Sequence, residues 1–474
     1  MSIKSINQPE PAPGKLRKRE LFPMSVGQVI GAGVVTLIVP AIKMTGYSAW
    51  LAYFVAIVLG FLVVLPTIFL TSTLRLGGGT YSMLAGVAGP KVAGIFAVAY
   101  LVRCFSPSLH ATSVASYIGD VVPALGSPTA KMLLGVCVIT FFFVVNLFGV
   151  NIMAKVQKFI TWFLIGALAV FAFVGMFKIK LPIFDFSDPN FLINGWTMTF
   201  SNGKIAGGFL GAVLLFIYSC QGYMMTSAYD RDCKDAYNDI PKVMMMTPLT
   251  LVVLYVGVAM VGVGALSLDE YGSSTTLVFA ARKIFPAWAA YLFVIGGPIC
   301  ALMSTLNGTF CFNAINIGSA ARDGWLPKVF GKKNKYGAYY VALLAMWLLA
   351  VIPMLFKLSV TTITNMTQIL VSMFSFLEAY AFLKMPKKYP KSWAKSKLHV
   401  PNWLYYVFLA ISTAIYCVTL WKACLSLNPG LDAANILFVI AAYILGMWRA
   451  KKGNITLNTA VWPLDKSELE TVIE

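Results

Sequence analysis

The chain has 474 residues, of which 59% are hydrophobic and 12% charged, and its mean hydropathy is +0.77. This composition excludes a soluble globular domain and indicates an integral membrane protein. The formal net charge of +19 could suggest a nucleic-acid partner, but the distribution of the basic residues along the chain argues for a lipid bilayer instead and against nucleic acid.

Twelve apolar runs have about the 20 residues that a helix needs to cross the hydrocarbon core of a membrane. We number them spans 1 to 12, and they cover residues 24–42, 48–72, 90–119, 130–149, 156–178, 205–229, 242–266, 285–320, 337–356, 362–383, 403–425 and 432–449. The sequence therefore predicts an all-α membrane protein with twelve transmembrane helices.

Basic residues are concentrated in alternate connections between the spans. If the N-terminus is cytoplasmic, that side holds Lys15, Arg17, Lys18, Arg19, Arg231, Lys234, Lys242, Lys332, Lys333, Lys335, the lysine-rich segment 384–397, Arg449, Lys451 and Lys452. The opposite connections hold only scattered bases such as Lys131, Lys204, Arg282 and Lys283. Because positive residues favour the cytoplasmic side, we expect a multi-pass protein of the cell membrane with both termini in the cytoplasm.

Span 1 contains a glycine-interrupted stretch, GQVIGAGVV, at residues 27–35. A break in mid-membrane is tolerated only where the freed backbone groups face protein, water or a ligand. The amides that begin a second helical half would then suit a carboxylate. We therefore take Ile30, Gly31, Ala32 and Gly33 as candidate substrate-binding residues. The alternative is that these small residues only allow a neighbouring helix to pack closely.

Arg103 in span 3 is an ionisable group near the middle of the predicted membrane. A charge at this depth needs a partner or a cavity. Arg103 is a candidate to bind an anionic group of the substrate. It could instead neutralise Glu378 of span 10, or bind backbone carbonyls freed by a broken helix. Glu378 is close to Lys384, so we expect it to reach the membrane surface easily.

Span 6 contains a second interruption, Tyr218, Ser219, Cys220, Gln221 and Gly222. Transporters built from inverted repeats form their binding site from discontinuous helices at corresponding positions of two halves. The two breaks predict that spans 1–5 and 6–10 are repeats of opposite topology, with spans 11 and 12 appended. The alternative for span 6 is a polar patch that is satisfied between packed helices.

Five motifs, which follow one another along the chain, resemble those of a known family. They are GQVIGAGVV, Gly77–Tyr81 (GGGTY), Asn146–Val150 (NLFGV), Asn238–Pro241 (NDIP) and Ala321–Pro327 (ARDGWLP). The chain resembles the amino acid-polyamine-organocation superfamily of transporters from about residue 22 to residue 350. The resemblance implies the five-plus-five inverted repeat of the leucine-transporter type, with broken helices 1 and 6. It also implies that a substrate carboxylate meets amides of span 1 and that its amino group meets carbonyls of spans 1 and 6.

The same resemblance assigns roles to further residues, and the chain departs from the family pattern at some positions. Tyr218 resembles the aromatic residue that closes over the substrate, although simple helix packing is the alternative for it. Ser219, Cys220 and Gly222 join the substrate-binding candidates. Met224 stands where an acidic residue is usual, and Leu164 stands where many relatives have a lysine in place of a cation. Ser304 and Thr305 of span 8 have hydroxyls that suit a sodium ion, although hydrogen bonds to their own helix are an alternative.

Enzymatic function is not expected. The chain has only two histidines, His110 and His399, and no phosphate-binding loop of the ATPase type, so catalytic groups and a cofactor site are not predicted. We expect a secondary transporter that moves an amino acid, preferably a neutral one, by alternating access with sodium or proton coupling. The alternatives are a transporter of acidic amino acids or amines, and a non-transporting amino-acid sensor on the same fold.

The predicted organisation has five parts. A cytoplasmic segment (1–22) precedes the first repeat (23–180) and the second repeat (200–384). Spans 11 and 12 occupy 400–450, and a cytoplasmic tail (451–474) follows.

Overall fold

A computed structural model describes residues 4–7, 9–31, 33–201, 204–272, 276–357, 360–425, 429–452 and 455–470. Within these ranges the chain is all-α, with three sheets of two short strands each. Ala32 lies outside the described residues, and so does the side chain of Tyr218.

The first five spans fold into nine helices, several of which are pieces of one interrupted helix. These are α1 Lys18–Val29, α2 Gly33–Thr36, α3 Ile38–Thr45, α4 Ala49–Thr73, α5 Gly79–Met83, α6 Pro90–Ala99, α7 Ser106–Val121, α8 Pro128–Leu147 and α9 Val150–Met176. The start of α8 follows from its sequence, because Ser127 accepts a hydrogen bond from the amide of Ala130 (3.2 Å) and Pro128 occupies the first turn.

Twelve further helices follow. These are α10 Phe209–Phe216, α11 Ala236–Leu251, α12 Gly257–Gly264, α13 Leu268–Tyr271, α14 Leu277–Ile284, α15 Ala287–Val294, α16 Cys300–Arg322, α17 Tyr340–Leu355, α18 Val360–Lys388, α19 Pro390–Lys395, α20 Asn402–Leu425 and α21 Pro429–Lys452. Helix α13 begins with a capping box in which the Ser267 side chain and Glu270 bind each other's amides.

Every one of the twelve predicted spans contains helix, but the helices differ in length and apolarity. Seven continuous helical segments among the described residues are long and apolar enough to cross a membrane. They are Gly33–Thr73, Pro90–Gly119, Pro128–Leu147, Val150–Met176, Ala236–Gly264, Ala287–Arg322 and Asn402–Leu425. Tyr340–Leu355 is a shorter apolar helix.

Burial separates an inner group of helices from an outer one. Of the 18 most apolar consecutive residues in each segment, 72% are buried in Ala287–Arg322 and 61% in Gly33–Thr73. In Pro128–Leu147 and in Asn402–Leu425 only 22% are buried. The outer helices expose large apolar side chains, as a lipid-facing surface requires. In α9, for example, Phe159 is 77% exposed and Phe173 is 70% exposed.

Span 1 lies at the centre of the inner group. Helix α1 packs against α9, α11, α16 and the second half of span 6. Span 6 begins later than the sequence suggests. Strands β3 (Thr199–Ser201) and β4 (Lys204–Gly207) form an antiparallel hairpin, and helix starts only at Phe209, after Gly208 with a φ of +85°. A positive φ stops regular structure at a glycine, so residues 205–208 are outside the helix.

The two ends of the chain meet on one face, which we call the terminal face. Strand β1 (Lys4–Asn7) pairs in parallel with β5 (Thr456–Thr459), and β2 (Leu74–Leu76) pairs antiparallel with β6 (Val461–Pro463). The backbone of Leu16 also bridges to Cys233, which follows span 6. Both terminal segments are therefore attached to the helical core by backbone hydrogen bonds.

Candidate functional site

The first break interrupts span 1 where the glycines are. Helix α1 ends at Val29, and Ile30 has a ψ of 89°, which is outside helical geometry. The Gly31 amide donates to the Val29 carbonyl at 2.9 Å, and helix resumes at Gly33. Ile30 is buried, whereas Gly31 and Gly33 are partly exposed. The amides that begin α2 thus lie beside an opening in the protein.

Gly33 is enclosed more tightly than Gly31. A Cβ atom on Gly33 would lie 2.9 Å from the Cβ atom of Ser219, whereas one on Gly31 would meet only the Thr305 hydroxyl, at 3.6 Å. The first break is therefore in direct contact with span 6. Two of the predicted substrate-binding segments, one in each half of the chain, lie side by side.

The second break interrupts span 6. After α10, residues Ile217–Cys220 form a 3₁₀ turn, Gln221 leaves the helix, and a 3₁₀ helix covers Gly222–Asp232. Ser219 donates from its hydroxyl to the Phe216 carbonyl at 2.7 Å, and the Cys220 sulfur lies 3.4 Å from the same oxygen. These contacts satisfy a carbonyl at the end of α10.

Gly222 allows the second break to approach α1. A Cβ atom on Gly222 would lie 2.6 Å from the Gln28 carbonyl oxygen and 2.9 Å from the Val29 Cα atom. Any larger residue would separate the two broken helices, so close backbone approach explains the glycine.

Two tyrosines that were not singled out from the sequence hold the breaks together. The Tyr255 hydroxyl lies 3.2 Å from the Val29 carbonyl oxygen and 3.4 Å from the Ser219 carbonyl oxygen, so it can donate to either break. The Tyr53 hydroxyl lies 3.2 Å from the Ser219 hydroxyl, and its ring stacks on Phe216 at 3.8 Å. Their sequence signal is weak, because tyrosines in apolar spans are common.

The candidate sodium ligands lie against α1. Ser304 donates to the Gly27 carbonyl at 2.6 Å, and the Thr305 hydroxyl lies 3.5 Å from the same oxygen. Both hydroxyls also lie near the Ala301 carbonyl of their own helix, at 3.1 and 3.0 Å, as the alternative of hydrogen bonds within that helix expects. A Cβ atom on Gly27 would also meet the Thr161 hydroxyl at 2.3 Å, which adds a third hydroxyl from α9. Leu164 is buried and apolar.

Arg103 lines a cavity whose walls, as described, include no residue of the first break. It belongs to a 3₁₀ stretch, Tyr100–Phe105, between α6 and α7, and its carbonyl accepts hydrogen bonds from the Ser106 hydroxyl (2.7 Å) and the Asn313 amide (3.2 Å). We call this cavity the charged chamber. It is lined by Thr67, Leu76, Thr80, Met83, Tyr100, Arg103, Met224, Met225, Ser227, Phe312, Phe374, Glu378 and Phe382.

Glu378 lines the charged chamber and is buried, contrary to the outward orientation expected from its position near Lys384. The residue is only 7% exposed. The predicted proximity of Arg103 and Glu378 is present, since both line one chamber, but no ion pair within 4.0 Å joins them among the described side chains. Second-half residues of span 6 form one wall, so the chamber adjoins the second break.

These features define a class: a multi-pass membrane protein whose two interrupted inner helices meet at an opening. A sequence profile described as amino acid permease matches residues 19–448. The chain belongs to the amino acid permease family, within the amino acid-polyamine-organocation superfamily. This membership points to a transporter rather than an enzyme. The chain is also similar to an uncharacterised protein of Methanocaldococcus jannaschii, with 22% identity over 380 residues that cover 78% of this chain and 83% of that protein.

Proposed function

We propose that this protein is a secondary active transporter of amino acids that works by alternating access. The single observation that supports this most strongly is the direct contact of two helix interruptions, at Gly31–Gly33 and Ser219–Gly222. Discontinuous helices at the interface of two repeats are the usual location of a transporter's binding site. A solely structural role would not require both helices to open at the same place.

The substrate we propose is a neutral amino acid. Its carboxylate would bind the amides that begin α2, and its amino group would bind carbonyls near Val29 and Ser219. The side-chain end would lie near Cys220 and Tyr218, with Tyr218 closing over it. The residues of the two breaks carry no charged side chain, and Arg103 lines the charged chamber, so the breaks favour a neutral substrate over an acidic one.

The proposed organisation has twelve transmembrane helices in the cell membrane. Spans 1–5 (23–180) and 6–10 (200–384) would be inverted repeats, and spans 11–12 would be appended. In support, the breaks fall in the first span of each set of five. The excess of basic residues on the terminal face favours a cytoplasmic location for both termini.

Two ions are candidates to drive transport, sodium and the proton. Sodium would bind Ser304 and Thr305 together with the Gly27 carbonyl, because hydroxyl and carbonyl oxygens are the hard ligands such an ion takes. Sodium-driven uptake would require a higher sodium concentration in a Thr305→Val variant. Uptake that is equal in sodium and in choline buffers would eliminate this ion and leave the proton.

One experiment distinguishes a transporter from a non-transporting sensor. The purified protein is reconstituted into sealed liposomes, and each of the twenty tritiated amino acids is tested for exchange against an internal pool of the same compound. We expect exchange for at least one neutral amino acid. A sensor on the same fold would bind its ligand in detergent but would move nothing across the bilayer. Strong exchange of glutamate alone would show that the substrate is an acidic amino acid and not a neutral one.

A further inference from the structure

The charged chamber contains two opposite charges that are not paired with each other. Glu378 is 7% exposed, and its Oε2 atom has no hydrogen-bond partner. Arg103 lines the same chamber, and its Nε atom likewise has no partner. A buried carboxyl group without a partner is costly inside a membrane protein unless it binds something during function.

The size of the chamber restricts the occupant. A cavity volume of about 50 Å³ holds a few water molecules. The remaining walls are mostly apolar, with Met224, Met225, Phe312 and Phe374 among them. A proton, with water to deliver it, therefore fits the chamber better than a second substrate molecule.

Among the described side chains, the surroundings of Glu378 supply one full charge, that of Arg103. Span 3 contributes Arg103 and Tyr100, and Cys104 and His110 lie near these two on the same span. From α20, Tyr416 is close to Glu378. The described side chains that α4, α5 and span 6 contribute to the chamber are hydroxyl or apolar groups, namely Thr67, Thr80, Met83, Met224, Met225 and Ser227. Arg103 is thus the charge that responds to the state of Glu378.

We propose that Glu378 binds and releases the proton that drives transport. The inference rests on the proposed transport function and selects the proton from the two ions considered for it. A hydronium ion from the side of higher acidity gives its proton to the Glu378 carboxylate, which leaves water and a neutral carboxylic acid. Water on the other side of the membrane takes the proton back. Only O–H bonds form and break, so the step needs no other reactant.

The position of the chamber explains how this proton would act on the substrate site. The ionised carboxylate attracts Arg103 across the chamber and so draws α18 towards span 3, whereas the neutral acid does not. Met224 and Met225 form a wall of the chamber and follow Gly222 by two and three residues. A change in the separation of α18 and span 3 is therefore transmitted directly to the second half of span 6 and to its break.

The test compares two kinds of transport by the same liposomes. Exchange of an amino acid at equal pH requires no net proton movement, whereas accumulation from an acidic outside requires it. The substrate is the amino acid that exchanges fastest among the twenty. A gradient of about one pH unit can support about tenfold accumulation when one proton accompanies one substrate. The variant is Glu378→Gln, and the matched control is Asp269→Asn, which removes a carboxylate from an exposed position.

We expect wild-type protein and Asp269→Asn to accumulate substrate under the pH gradient. We expect Glu378→Gln to exchange substrate within about twofold of wild type but to lose accumulation. Unchanged accumulation by Glu378→Gln, or loss of exchange together with accumulation in a folded variant, would overturn the inference. So would a wild-type protein that exchanges substrate but ignores the pH gradient. A wild-type protein without any exchange would instead refute the proposed function itself.

A measurement on unaltered protein covers the case in which Glu378→Gln does not fold. Dicyclohexylcarbodiimide reacts with protonated carboxyl groups in apolar surroundings. We expect it to modify Glu378, as detected by mass spectrometry, and to do so faster at acidic pH. If Glu378 stays unmodified at every pH while the protein transports, the inference is wrong.

Discussion

At the scale of single residues, the glycines of the two breaks differ in what surrounds them. Gly33 is in contact with Ser219, whereas Gly31 has open space on one side. Gly222 is packed on the backbone of α1. The sequence indicates all three as small residues, but their separate roles follow only from the contacts between spans 1 and 6, which are nearly 200 residues apart in the chain.

The first prediction concerns the glycines of span 1. We expect Gly33→Val to abolish substrate binding, because its branched side chain would push Ser219 away and cover the amides of α2. Gly31→Val should also block binding, whereas Gly31→Ala should keep most of it, since a Cβ atom there meets only the Thr305 hydroxyl at 3.6 Å.

Binding to the purified variants is measured by scintillation proximity. Gly166→Val in α9 is the matched control, because no atom lies within 4 Å of its added Cβ position. Normal affinity in Gly33→Val would contradict the assignment of the site to the first break.

The second prediction concerns Tyr218, whose role rests on the resemblance. If its ring covers the substrate, Tyr218→Ala should severely weaken transport, while Tyr218→Phe should keep much of it because shape matters more than the hydroxyl. Initial uptake rates measure both. Equal losses in the two variants would indicate a hydrogen bond from the hydroxyl. Full activity of Tyr218→Ala would show that the Tyr218 ring does not cover the substrate.

The third prediction concerns Tyr255. Tyr255→Phe removes the donor that lies between the Val29 and Ser219 carbonyls, so at least one buried carbonyl loses its partner. Such a loss costs about 1–3 kcal/mol. We expect lower thermal stability and weaker substrate binding, and in both measurements Tyr291→Phe, an exposed tyrosine, should match wild type. If Tyr255→Phe also matches wild type, the hydroxyl does not join the two breaks.

At the scale of elements, β2 and the second half of span 6 are joined by a buried ion pair. Arg75 donates from Nε to Asp230 at 3.1 Å, and the Leu76 amide donates to the other carboxylate oxygen at 2.7 Å. The Arg75 side chain is 7% exposed and that of Asp230 is 1% exposed. The pair thus fixes the part of span 6 that follows the break to the end of span 2.

The fourth prediction follows from that pair. Arg75→Gln leaves the Asp230 carboxylate buried without its counter-charge, which typically costs about 3–5 kcal/mol. We expect a large fall in the thermal unfolding temperature, whereas Arg282→Gln, at an exposed position in α14, should leave it unchanged. Similar melting of the two variants would show that the pair does not stabilise the fold.

The elements also show where sequence reasoning succeeds. Apolar length identifies a helix in each of the twelve runs, and the glycines locate both interruptions. The apolar pattern places the start of span 6 too early, because the apolar residues Ile205 and Ala206 belong to a hairpin that ends at Gly207. The sequence also leads us to expect Glu378 at the membrane surface. This expectation is wrong because the distance to Lys384 along the chain does not reveal which way the side chain points.

At the scale of the whole molecule, the terminal segments pack against the helical core at the terminal face. Trp462 is 1% exposed, its carbonyl accepts a hydrogen bond from Tyr237 at 2.8 Å, and Arg75 lies over its ring at 5.8 Å. The sequence does not predict these strands, because they are short and lie outside the apolar runs. Their partners are supplied by the folded core rather than by a local pattern.

The fifth prediction tests that attachment. Trp462→Ala should release the tail from β2 and expose residues 455–470 to limited trypsin digestion. Digestion of the detergent-solubilised protein at Lys466, the tryptic site within 455–470, measures this. Trp288→Ala, which removes a 68% exposed ring, should leave the tail protected. Equal protection of the tail in Trp462→Ala and wild type would contradict the role given to this side chain.

Exchange of tritiated amino acids by the reconstituted protein tests the central claim most directly. We predict that wild-type liposomes exchange at least one neutral amino acid, that Gly166→Val liposomes do so equally well, and that Gly33→Val liposomes do not. Binding of an amino acid by the wild-type protein without any movement across the bilayer would contradict the account, as would full exchange by Gly33→Val.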